Sequence, residues 1–137
     1  MGDYTVKRLD EMERAFGGMW VRARAALGAS AFGFQVTDFP PGFPAEMYPN
    51  HTHEHDGQEE VYLVLDGEGE MTVGGEKVPM NRDTWIRVGP SVPRHVAPGA
   101  DGMRMLVIGG VPGGVYSPDA TTELGGPEEM GEGVVEG

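Results

Sequence analysis

Glycine and proline punctuate this chain too densely for a helical bundle: 23 glycines and 11 prolines fill a quarter of its 137 positions. Both residues disfavour helix interiors, and both serve tight turns. Between them lie short apolar runs, several with the two-residue alternation of a half-buried strand. "SAFGFQVTDF" places Phe32, Phe34 and Val36 on one face. Further strands are expected at Met47 to His55, Glu59 to Asp66, Gly69 to Val73, Lys77 to Met80, Thr84 to Val88, Arg94 to Ala97 and Met103 to Ile108. "VGGE" reads as a hairpin turn, since paired glycines adopt positive φ freely, and "PPGFP" reads as a rigid loop. The pattern predicts an all-β sandwich or barrel.

Two segments flank this region. Leu9, Met12 and Phe16 recur at helical spacing, so a short helix is expected over Val6 to Phe16, ended by Gly17-Gly18. In "MWVRARAAL", arginines alternate with apolar residues, which suggests a strand in the first half and a turn before Gly28. Residues 1–28 are therefore expected to pack on a barrel formed by 29–112. Residues 113–137 are read as a surface-running segment anchored by Val115, Tyr116 and Leu124, with a frayed acidic tail after it.

The formal net charge is −12, which repels phosphate backbones and anionic lipid, so neither nucleic acid nor a membrane surface is an expected partner. Cysteine is absent, which excludes disulfides, thiolate metal sites and a cysteine nucleophile. The opening "MGDYTVKRLDEMERAF" has no apolar core of a secretory signal, and no uncharged run is long enough to span a bilayer. A cytoplasmic location is the resulting expectation.

The chemistry concentrates in "NHTHEHDGQEEVYLVLDGEGE". In an extended strand His51, His53 and His55 project to one side, where two imidazoles can grip one ion. Glu59 and Glu60 follow a short turn and face opposite ways, so one of them can close such a site. Glu59 is expected to face outward, paired with Arg87 or Arg94. His95 could supply a fourth ligand or, instead, hydrogen-bond an organic ligand. A separate alternative makes the three alternating histidines a solvated strand end with no ligand role. A nitrogen–oxygen set without sulfur suits Fe, Mn, Ni, Cu or Zn as the divalent ion.

"HEHDGQEEVYLVLDG" resembles the first motif of the cupins, with His53, His55, Glu60 and Gly67 in its positions, and "NRDTWIRVGPSVPRHVAPG" resembles the second, with His95 as its histidine. Gly99 stands where the second motif carries asparagine. The chain is similar to a bacterial branch of small single-domain cupins in which the histidine pair stands one step earlier. That pairs His51 with His53 and leaves His55 at the rim; the strict motif pairs His53 with His55.

The resemblance implies a double-stranded β-helix, a jelly-roll barrel whose mouth opens on a metal, with the His/Glu-held ion acting on a small organic molecule. With iron it implies dioxygenase chemistry, with zinc or manganese isomerase or lyase chemistry, and a non-catalytic metal- or ligand-binding cupin is the alternative. Phe34, Tyr62, Trp85 and Met105 are the candidate pocket residues, alongside Phe32. In "EEVYLVLDG" both strand faces are apolar, so the outer one needs a cover, and a homodimer is expected.

Overall fold

The computed structural model describes residues 2–128 and is built almost wholly of antiparallel strands. In chain order they are β1 (Arg14–Ala15), β2 (Trp20–Val21), β3 (Gly33–Phe39), β4 (Glu59–Val73), β5 (Glu76–Met80), β6 (Ile86–Val88) and β7 (Arg94–Gly110). One short helix, α1 (Ala23–Leu27), and three single 3-10 turns complete the described residues. Hydrogen bonding runs β1-β2-β3-β7-β4-β5, with β6 paired to β4 at Glu60–Tyr62, ahead of the stretch that pairs β5. This is the all-β jelly-roll architecture expected from the sequence. No helix among the described residues is long and apolar enough to cross a membrane.

The two long strands carry the fold. β4 joins what read as two strands, Glu59 to Asp66 and Gly69 to Val73, and β7 joins Arg94 to Ala97 with Met103 to Ile108. The β4–β7 ladder shifts register between Val64 and Asp66 and again between Gly67 and Gly69. Such bulges bend a strand without ending it, so "DGEG" curves the sheet where it reads as a turn. Gly67 has a φ of 79°, and a Cβ there would lie 2.6 Å from the Gly102 carbonyl oxygen. Only glycine meets both demands.

Inward positions alternate along both strands. Glu60, Tyr62 and Val64 of β4 and Met103, Met105 and Val107 of β7 are buried. All but Glu60 meet Met71, Met80, Val88, Val96 and Phe39 in one apolar core. The four buried methionines are unbranched and fill irregular space in a narrow barrel.

The flanking segments differ from the sequence reading. Instead of a helix over Val6 to Phe16 there is one 3-10 turn at Leu9–Glu11, followed by β1 paired with β2. Phe16 takes a φ of 54° and leads Gly17 and Gly18 through the hairpin turn, a conformation no right-handed helix includes. The helix forms later, at Ala23–Leu27, where alanine favours it and Gly28 closes it at a φ of 76°. The expected strand from Met47 to His55 is absent. Pro44 and Pro49 have no backbone N–H to give a ladder, and only His51 forms an isolated bridge, to Arg94.

Arg22 and Arg24 are buried, although alternation with alanine suggested solvent-facing positions. Arg22 donates to the carbonyls of Thr121, Gly126 and Pro127 at 2.9, 3.0 and 3.1 Å and pairs with Glu13 at 2.8 Å. Arg24 pairs with Glu123 at 2.9 Å and donates to the Ala29 carbonyl at 3.0 Å. These guanidinium groups, with buried Tyr116, fasten the C-terminal segment; Val115 and Leu124 are exposed and anchor nothing. From residue 129 the acidic tail lies outside the described residues. Arg22→Met leaves several carbonyls without a buried donor, so urea unfolding is expected to show a loss of about 2–4 kcal/mol. Limited proteolysis should then open the chain between Thr121 and Pro127.

Candidate metal centre

His51 is placed by its own backbone: its N–H and C=O both pair with Arg94, at 3.0 Å each. Its ring Nδ1 lies 3.1 Å from the Pro49 carbonyl oxygen, so Nδ1 carries the proton and Nε2 the lone pair. His53 is fixed by its backbone bond to Pro90 at 2.8 Å and by a tight turn to Gly57 at 2.7 Å. Its Nδ1 faces both oxygens of Asp56, at 3.1 and 3.2 Å. The Gln58 backbone and side-chain amide each donate to Asp56 at 3.0 Å. Gln58 fits because residue 109 is glycine: a Cβ there would stand 2.4 Å from its Oε1.

Glu60 is the first inward residue of β4. Its Oε1 accepts from the Tyr62 hydroxyl at 2.7 Å and from the Arg94 guanidinium at 2.9 Å, and lies 3.1 Å from His53 Nε2. The ligand atoms of His51, His53 and Glu60 all lie within 4.8 Å of one another. His51 Nε2 and Glu60 Oε2 are buried and make no hydrogen bond.

Burial and charge set the protonation of this group. Burial pushes His51 down to about 4, outweighing the Pro49 hydrogen bond and the Glu60 charge, so the ring is neutral at physiological pH. Burial alone would raise the Glu60 carboxyl, but His53, Tyr62 and Arg94 hold it below its ordinary value, as a carboxylate. Burial and the Glu60 charge raise the Tyr62 phenol, which stays a donor. His53 Nε2, on the ring whose Nδ1 faces Asp56, lies 3.1 Å from Glu60 Oε1, a separation that calls for a proton or a cation between the two atoms. Two imidazoles with Nδ1 engaged elsewhere, beside a carboxylate oxygen with no hydrogen bond, form a donor set that fits a divalent transition metal.

The other expected ligands stand elsewhere. His55 groups with His53 and Asp56 instead of Glu60; it is partly exposed, its Nε2 is 3.3 Å from Asp56 and its ring stacks on His53. His95 does not join the set. Alternation on β7 turns Arg94 and Val96 inward and His95 to the opposite face, where Nε2 bonds the Ala45 carbonyl at 2.9 Å beside Tyr48. Arg94, fully buried, takes the inward place beside Glu60. Glu59 faces outward and pairs with Arg87.

Of the pocket candidates, Tyr62 touches Glu60 and Met105 lies in the sealed core. Phe34 is half-buried on the outer face, in tilted ring contact with exposed Phe32, and Trp85 is 67% exposed. These three do not line the centre. An apolar cavity of about 430 Å³ is lined instead by Phe16, Met19, Trp20, Phe43, Met47 and Tyr48 among others. The Tyr48 ring stands 5.8 Å from that of His51. The sequence signal for this wall was faint: apolar side chains split between the N-terminal Phe16–Trp20 stretch and the proline-rich loop just before the histidines. Asp56 and Gln58 were hidden in "DGQ", which reads as a plain turn.

Gly109→Ala forces Gln58 off Asp56. Denaturation should register a loss of about 1–3 kcal/mol, and His53 should lose its Nδ1–H tautomer signature in ring ¹H–¹⁵N spectra. An unchanged His53 spectrum would separate Gln58 from the positioning of this ring.

Residues 36–109 match the family described as the cupin domain. Among solved structures the chain is similar to a cupin protein from Bacteroides fragilis, at 22% identity and a TM-score of 0.63 over 87% of this chain and 93% of that one. It is also similar to a protein from Silicibacter pomeroyi described as a sugar phosphate isomerase from a cupin superfamily, at 19% identity, TM-score 0.64, over 83% and 77%. A third is the cupin domain of an XRE family transcriptional regulator from Enterobacter cloacae, at 20% identity, TM-score 0.51, over 62% and 86%. At these identities the likeness shows the fold alone, and the fold hosts many functions. No curated protein matches the chain.

Proposed function

The chain belongs to the cupin family, and on that premise we propose that it holds a divalent transition metal between His51, His53 and Glu60 and acts as a dioxygenase-type enzyme on a small organic molecule. The observation that carries this reading is the buried set of two histidines and one carboxylate, with His51 Nε2 and Glu60 Oε2 unbonded. Two histidines and a carboxylate on one side of an ion are the pattern of non-haem iron oxygenases. Iron(II) held there would supply dioxygen chemistry at the coordination positions the protein leaves open.

The chain's own residues divide the remaining work. Pro49 and Asp56 hold the two rings in their ligating tautomers. Tyr62 and Arg94 occupy Glu60 Oε1 and leave Oε2 for the ion. The apolar cavity beside Tyr48 receives the body of the organic molecule. The near-complete burial of His53 and Glu60 favours a second reading, a non-catalytic metal- or ligand-binding cupin.

Metal analysis of untagged protein tests the proposal, followed by oxygen uptake by the iron-loaded form. Stoichiometric binding is expected, lost in His51→Ala and in Glu60→Gln. His55→Ala, which acts through Asp56, should weaken binding by about tenfold or less. Absence of stoichiometric metal in the wild-type chain would end the enzyme reading. Metal without oxygen uptake on any small organic acid would leave the binding protein.

We also infer pairing of two copies through the outer sheet face. Strand register sets Phe34 beside Ile108, Ile108 beside Val61 and Leu63 beside Leu106, with Leu65 and Trp85 exposed at the margin. Ion pairs Glu59–Arg87 and Asp66–Arg82 put both charge signs on the rim, so twofold pairing can match opposite charges. Light scattering should give twice the 14.7 kDa chain mass, and a Leu65→Glu, Trp85→Asp double variant should be monomeric. A monomeric wild-type chain would refute the pairing.

A further inference from the structure

We infer that the molecule recognised at this centre is a small organic anion, coordinated through an oxygen, and that Arg94 sets that preference. The inference rests on the metal reading above and adds the charge of the substrate.

Arg94 is fully buried, and its side chain lies at the centre of the site. The guanidinium contacts Glu60 Oε1 at 2.9 Å and is held in place by the carbonyls of Val92 and Gly89, at 3.1 and 2.5 Å. Its backbone pairs with His51, so one residue both places a ligand and presents the guanidinium beside Glu60. An imidazole at this inward position would be one more neutral ligand. An arginine is a permanent cation that coordinates nothing.

Glu60 is negative and Arg94 cancels it. His51 and His53 offer neutral nitrogens, and Tyr62 is a neutral donor. Asp56 is negative but lies behind His53, partly exposed, with His55 on its far side. A divalent ion among these groups therefore brings more positive charge than the residues around it offset. In a buried site of low effective dielectric that excess is costly, and an entering anion relieves it where a neutral molecule does not. Because the protein offers three ligand atoms, coordination positions remain for that anion.

Cobalt(II) as probe metal and acetate as probe anion test this, by calorimetry and cobalt absorption at constant pH and ionic strength. Acetate is expected to tighten cobalt binding by the wild-type chain, and cobalt to tighten acetate binding by the same factor. Arg94→Gln, which keeps a polar side chain without the charge, should lower acetate affinity of the cobalt form about tenfold or more, and Arg94→Lys should retain most of it. Cobalt binding with acetate affinity within about twofold of wild type in Arg94→Gln would overturn the inference alone. Should Arg94→Gln not fold, the wild-type chain decides: cobalt affinity indifferent to acetate rejects the inference. A wild-type chain that takes no cobalt rejects the metal reading beneath it.

Discussion

The contact between Glu60 and Arg94 holds the barrel mouth together. At 2.9 Å it joins the start of β4 to the start of β7, and through its backbone Arg94 also holds His51. Burying two charges is expensive, and such a pair contributes little net stability against an apolar replacement. Breaking it is another matter, since losing one partner strands a buried charge at a cost of about 3–5 kcal/mol. The pair therefore acts as a constraint. It fixes Glu60 Oε1 beside His53, leaves Oε2 without a hydrogen bond, and ties the loop that carries the histidines to the sheet.

Around that constraint the site is layered. Asp56 orients His53, Gln58 orients Asp56, and Gly109 makes room for Gln58. Each layer is a short-range requirement of geometry: a tautomer, a pair of amide donors, a missing Cβ. Outer layers of this kind set ligand orientation and basicity as much as the ligands do. Arg22 and Arg24 do comparable work for the C-terminal segment. In both places buried guanidinium groups satisfy irregular backbone that has no ladder to join.

The sequence made much of this legible. Alternation in "EEVYLVLDG" marked the first half of β4, and the histidine run with Glu60 contains the three residues that the fold groups. The misreadings share a cause. Arg22 and Arg24 read as solvent-facing because burial of a charge depends on partners about a hundred residues away. His51 to His55 read as a strand because local spacing cannot show that Pro44 and Pro49 leave the ladder unformed. His95 read as a ligand because the inward parity of β7 is set by pairing with β4, and one residue of parity exchanges His95 for Arg94.

The sequence by itself determined the strand-rich class, the first half of β4 and the residue types available to the centre, because period-two alternation and turn residues act over a few positions. Tertiary structure alone decided which of those residues meet. Register across β4 and β7 turned Arg94 inward, the loop path separated His51 from His55, and close backbone approach required glycine at 67 and 109. Those choices follow from contacts between segments distant in the chain, which no local pattern encodes.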